Sequence, residues 1–76
     1  MLNGRYKVTF GAFNGMAGVV VIADKIEVAF MGKPPRVGAT GEIDGKPYCV
    51  VTSARSEFVP GMAVITVMPD GGGVCR

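Results

Sequence analysis

Apolar side chains recur at every second residue along almost the whole chain, and runs between turn residues are too short for anything but strands. In Arg5-Tyr6-Lys7-Val8-Thr9-Phe10, the residues Tyr6, Val8 and Phe10 fall on one face and Arg5, Lys7 and Thr9 on the other. That is the signature of a half-exposed strand. Gly18-Val-Val-Val-Ile22 is a β-branched run with no polar side, and Ile26, Val28 and Phe30 again share a face. Asn14-Gly15 is expected to turn the chain between the first two strands, and Asp24-Lys25 between the second and third. Thr40–Ile43 and Pro47–Thr52 flank Asp44-Gly45, a two-residue hairpin signal. Pro60-Gly61 suits the centre of a type II turn before a last full strand, Met62–Met68.

Breaks in the pattern are equally informative. Pro34 and Pro35 remove two backbone donors, so Gly32–Arg36 reads as an extended connection and not a ladder strand. Ser53–Glu57 is the one polar stretch long enough for a helical turn, but it lacks the Glu or Gln of a capping box. Pro69-Asp-Gly-Gly-Gly73 ends the last strand and leaves Val74-Cys75 as a possible seventh. The expected fold class is all-β: one domain over residues 1–76, a single small barrel (OB- or SH3-like) of six to seven short, mostly antiparallel strands. Closure into a barrel would remove the edges that such apolar strands expose to aggregation.

Size makes a second source of stability useful, because a chain of 76 residues buries only about 60% of the surface its unfolded form exposes, less than larger domains do. Cys49 lies in an apolar run and reads as a small buried thiol; one bridge to Cys75, near the C-terminus, is the open alternative, and the expected setting is reducing and cytoplasmic. The charge-free stretch from Phe10 to Ala23 is shorter than the roughly 18 residues of a membrane span. Arg5 and Lys7 alternate with apolar residues instead of preceding an apolar block, unlike a signal peptide.

Composition narrows the chemistry. There is no histidine, which removes the usual base of a Ser or Cys nucleophile and the commonest transition-metal ligand. The two cysteines have no partners at metal-binding spacing, and the carboxylates are scattered singly. Ser53 and Ser56 read as turn residues bonded to their own backbone, and Asp44 and Asp70 as turn formers before glycine. Gly71-Gly72-Gly73 lacks the Lys-Ser/Thr of a phosphate loop. No cofactor and no catalytic residue is assigned, and the chain is not expected to be an enzyme.

Two kinds of surface are candidates for binding. In Val19–Ile22 and Met62–Ile65 both strand faces are apolar, yet a barrel has one inside. Val19, Val20, Val21, Met62 and Val64 therefore mark a candidate self-association surface. The alternatives are cover from the loops around Phe13 and Phe58, or an apolar ligand or foreign partner. The second surface is basic. Arg5, Lys7, Lys33, Arg36 and Lys46, with Tyr48 or Tyr6 to stack bases, form a candidate partner or single-stranded nucleic-acid interface. Eight Lys and Arg against six Asp and Glu leave a net charge of only +2, so such binding would be weak and salt-dependent. The proline-stiffened Lys33–Arg36 segment can also present two cations to an acidic partner.

The second half carries a resemblance. Gly41-Glu-Ile-Asp-Gly-Lys-Pro-Tyr-Cys-Val-Val-Thr-Ser53, then Phe58-Val-Pro-Gly61 and a valine-rich run, resembles the C-terminal soluble domain of the NfeD family over roughly residues 41–75. Asp44-Gly45, Tyr48, Phe58, Gly61 and Val64–Val67 hold the matching positions, while the family's membrane segment has no counterpart here. Residues 3–22, with Asn3-Gly4-Arg-Tyr6-Lys-Val8-Thr-Phe10 and Gly18-Val-Val-Val, resemble the opening of GrlR-like regulatory barrels; the Gly-Gly-Asp segment that follows there is replaced by Glu27-Val-Ala-Phe30. Both resemblances imply a barrel used for binding. The combined expectation is a non-catalytic interaction module that associates with itself, with nucleic-acid binding or apolar-ligand binding as alternatives.

Overall fold

The structure, a computed structural model, describes residues 3–70. Six strands, β1 (Gly4–Phe10), β2 (Phe13–Ile22), β3 (Lys25–Met31), β4 (Thr40–Ile43), β5 (Lys46–Arg55) and β6 (Met62–Pro69), close into a barrel in the order β1-β2-β3-β6-β5-β4. Every neighbouring pair is antiparallel, including the β1–β4 pair that completes the circle. The single small all-β barrel expected from the alternation is what forms. The possible seventh strand at Val74-Cys75 lies outside the described residues.

The inner row explains why the barrel holds. Val8, Phe10, Ala17, Val19, Val28, Phe30, Ile43, Tyr48, Val50, Ala63, Ile65 and Val67 form one buried cluster. Each large side chain moved from water into this cluster contributes about 1.5–3 kcal/mol. Phe13 extends it by stacking on Phe30, with ring centroids 4.3 Å apart.

The turns show which local signals decide. Asp44-Gly45 turns β4 into β5 with both residues at positive φ (53° and 81°), and Ile43 pairs with Lys46, as expected of a type I′ hairpin. Pro60-Gly61 also turns as expected: the Met62 N–H donates to the Val59 carbonyl at 3.2 Å, and Gly61 has φ 81°. The first two hairpins differ from expectation. Asn14 and Gly15 belong to β2, opposite Thr9 and Val8, and the turn is Gly11-Ala12, with Gly11 at φ 56°. That register lets Phe13 pair with Phe10 and reach Phe30. The next turn is Ala23-Asp24, one residue earlier than Asp24-Lys25, and both residues take positive φ (48° and 68°).

A bulge in β5 sets the far end. Val50 pairs with Val67 and Thr52 with Thr66, so Val51 is extra and the inside–outside alternation reverses after it. Ser53 consequently takes an inward register position opposite Ile65. Its hydroxyl donates to the Pro35 carbonyl, a contact with a distant loop and not with its own backbone. The Gly32–Ala39 connection crosses this end of the barrel, tied down by Gly38 N–H to the Val50 carbonyl and Val50 N–H to the Ala39 carbonyl, both 2.9 Å. The prolines thus sit in a connector, as their chemistry requires. Ser53–Arg55 are strand, so no helical turn forms there.

Candidate functional site

Each strand has a second, outward row, and the rows differ around the barrel. On β1 it holds Arg5, Lys7 and Thr9, all exposed, and on β4 Thr40 and Glu42. On β2 it holds Met16, Gly18, Val20 and Ile22, and Met31 follows on β3. These large side chains are 45–59% exposed. Met62, Val64, Thr66 and Met68 continue the row on β6, each half-buried. The ladders align these positions across three strands: Gly18 with Ala29 and Ala29 with Val64, then Val20 with Glu27 and Glu27 with Thr66. The result is a largely apolar wall, β2-β3-β6, broken by Lys25, Glu27 and Thr66.

At one end of that wall the small residues Gly18 and Ala29 form the floor of a cleft of about 310 Å³. Met16, Met31 and Met62 rim it, and Arg5 borders it on the β1 side. Gly18 has no atom within 4 Å of where a Cβ would stand, so the floor is open above it.

The structure separates the residues expected to mediate self-association. Val20 is exposed on the apolar wall, and Met62 and Val64 lie on it half-buried. Val19 does not belong there. It is fully buried in the barrel and must be reassigned to the core, because β2 alternates and its odd-numbered side chains point inward. Val21 shares that inward parity and is half-buried, while its N–H donates to the Asn3 side-chain oxygen at 2.8 Å. The loop at Phe58 gives no cover: Phe58 is 91% exposed. Phe13 is spent on the core. Sequence reasoning missed Met16 and Met31 and held Ile22 only as part of the run Val19–Ile22, although their parity with Val20 and Ala29 was available once the turns were placed.

The basic residues do not converge on a stacking platform. Arg5 and Lys7 are neighbours on the outer row of β1, Lys33 and Arg36 are exposed in the crossing loop, and Lys46 follows the β4–β5 turn. Tyr48, offered as a stacking residue, is only 7% exposed and belongs to the core cluster, which overturns that role. Tyr6 is half-buried against the same cluster. The reason is again parity, since both tyrosines occupy inward register positions.

Cys49 corrects the reading of a free thiol. It is buried as expected, with 0% exposure, but it is disulfide-bonded. Its register partners are Thr40 and Met68, both on outward positions, so it lies on the barrel's outside and is not part of the inner cluster. Cys75 lies outside the described residues, as does Gly71–Gly73. Asp44 is a turn residue, as expected. Ser56 is too: its hydroxyl accepts the N–H groups of Phe58 and Val59, each at 3.1 Å. Among the described residues no three His, Cys, Asp or Glu side chains gather as metal ligands, and no helix is long and apolar enough to cross a membrane.

The chain matches no family profile, no curated protein and no solved structure. The resemblances to NfeD-family and GrlR-like barrels therefore rest on the motifs quoted above.

Proposed function

We propose that this protein is a non-catalytic β-barrel module that associates with itself through the outer wall of β2, β3 and β6. The observation that carries this reading is the wall itself: Met16, Val20, Ile22 and Met31 stand 45–59% exposed on adjoining strands whose inner faces already supply the core. Nothing in barrel closure asks for apolar residues there, and large apolar side chains exposed together on one wall mark an interaction surface. A standard interface takes about 800 Å² per partner, roughly a sixth of the 4978 Å² that the chain exposes. For a domain this small, a partner copy is also a means of stabilisation.

Light scattering over a hundredfold concentration range tests the reading. The expected result is a mass that rises to a dimer or larger assembly, and that falls back to one chain in Val20→Lys. A monomer at every concentration would sink the proposal and turn attention to an apolar ligand of the same wall. Nucleic-acid binding is the weaker reading, because the cations of β1 stand beside no exposed tyrosine. As to compartment, the disulfide at Cys49 supports an oxidising setting over the cytoplasmic one suggested by the cysteine count. Thermal melts with and without reductant address this: a drop in Tm on reduction is expected.

A further inference from the structure

The β5–β6 loop does something unusual with its largest side chain. Phe58 is 91% exposed, the most exposed of the large apolar residues described. Loops that leave an aromatic in water are ordinarily loose, but this one is tied at each step. Ser56 N–H donates to the Met62 carbonyl at 2.9 Å, and Gly32 N–H to the Gly61 carbonyl at 2.8 Å. The Ser56 hydroxyl accepts both the Phe58 and Val59 amides, and Pro60-Gly61 closes the loop with the Met62-to-Val59 bond. Phe58 is thus held out into solvent by a backbone already ordered, so little further entropy would be lost on burying it.

The cleft on the apolar wall begins where this loop ends. Met62, the first residue of β6, is one rim of the cleft, and a Cβ on Gly61 would stand 3.5 Å from the end of the Met31 side chain, so the loop that carries Phe58 runs into the rim. The floor is small-residued, Gly18 and Ala29, and the rim is methionine, whose flexible thioether adapts to and favours an aromatic ring. The charges agree. Glu57, exposed beside Phe58, is acidic, while Arg5, exposed at the β1 side of the cleft, is basic. Because the loop that carries the knob ends at the rim of the hollow, a two-fold axis passing near that rim would let two copies insert Phe58 into each other's clefts, with each Glu57 toward the other's Arg5.

We infer that the occupant of the Met16–Met31–Met62 cleft is Phe58 of a second copy of this chain, in a reciprocal dimer steered by Glu57 and Arg5. This rests on the self-association reading above and names its contact. The test is sedimentation velocity on the full chain and its variants, with circular dichroism to verify folding. Phe58→Ser should weaken the dimer at least about thirtyfold, as removal of a buried aromatic anchor does. Gly18→Val, which fills the cleft from a floor with open space above it, should weaken it comparably. Mixing the Phe58→Ser and Gly18→Val chains restores one intact knob-and-cleft contact, so the mixture should associate more tightly than either variant alone. Glu57→Arg and Arg5→Glu should each weaken association, and their combination in one chain should recover it. If the wild-type chain dimerises but Phe58→Ser does so within threefold of it, this inference is wrong while self-association stands. If the wild-type chain is monomeric throughout, both fall. Should Gly18→Val fail to fold, the charge exchange decides: no recovery in the double variant overturns the pairing.

Discussion

Two walls of the same barrel solve the same internal problem and differ completely outside. On β1 and β4 the inner row, Val8, Phe10 and Ile43, is fully buried or nearly so, and the outer row is Arg5, Lys7, Thr9, Thr40 and Glu42. On β2, β3 and β6 the inner row is Ala17, Val19, Val28, Phe30, Ala63, Ile65 and Val67, equally buried, but the outer row carries Met16, Val20, Ile22, Met31, Met62 and Val64. One wall is an ordinary solvated surface. The other adds to its apolar inner face a largely apolar outer one, broken by Lys25, Glu27 and Thr66, that the fold does not use. The difference teaches that the barrel's closure and its surplus surface are separable: the first depends on inward parity, the second on outward residues that could be polar without harming the core.

Substitutions on the apolar wall should break this contrast most sharply. Val19→Lys puts an ammonium into the barrel interior and is expected to unfold the protein, a loss of more than about 4 kcal/mol by chemical denaturation. Val20→Lys, the next residue along, should leave the single chain folded and abolish the concentration-dependent mass, losing only the stability that association adds. If both unfold the chain, Val20 is core and the surplus face does not exist.

On the polar wall the largest effect is expected at Gly41. A Cβ there would stand 2.2 Å from the Thr9 carbonyl oxygen and 2.5 Å from the Phe10 ring, with a backbone atom that cannot step aside. Gly41→Ala should therefore cost about 3 kcal/mol or more, visible as a large fall in Tm. A Tm near wild type would mean that β1 and β4 can separate without loss, and that closure matters less than supposed.

A smaller gain is expected at a turn within the apolar wall. Ala23 holds φ 48° in the β2–β3 hairpin, a left-handed conformation that glycine adopts freely. Ala23→Gly should stabilise by about 0.5–1 kcal/mol, and a fall in Tm would show that the Ala23 methyl is used. Lys7→Glu should be smaller still, within about 0.5 kcal/mol and without effect on assembly. If it altered the mass, the polar wall would be part of the interface.

Much of this was legible from residue order because alternation, positive-φ turns and proline are local properties. The faces of β1 and β3, the Asp44-Gly45 and Pro60-Gly61 turns and the connector at Pro34-Pro35 all follow from neighbours in the chain. The first hairpin was not legible for a definite reason. A turn at Asn14-Gly15 would slide β2 against β1 by an even number of residues, which leaves every side chain on the same face. Hydrophobic pattern alone cannot choose between the registers. The choice is made by Phe13 stacking on Phe30, a contact with another strand. The bulge at Val51 is of the same kind, since nothing in Val50-Val51-Thr52 announces an extra residue until Val67 and Thr66 pair around it.

By itself, then, the sequence determined that the chain is strands, where most of them end, and that it carries more apolar surface than one barrel interior can take. Only the tertiary structure decided that β1 meets β4, that Val19 is inside and Val20 outside, that Phe58 stands in water, and that three methionines rim one cleft. The physical reason is range. Parity and turn chemistry act between adjacent residues, whereas register and exposure depend on which distant strand arrives alongside.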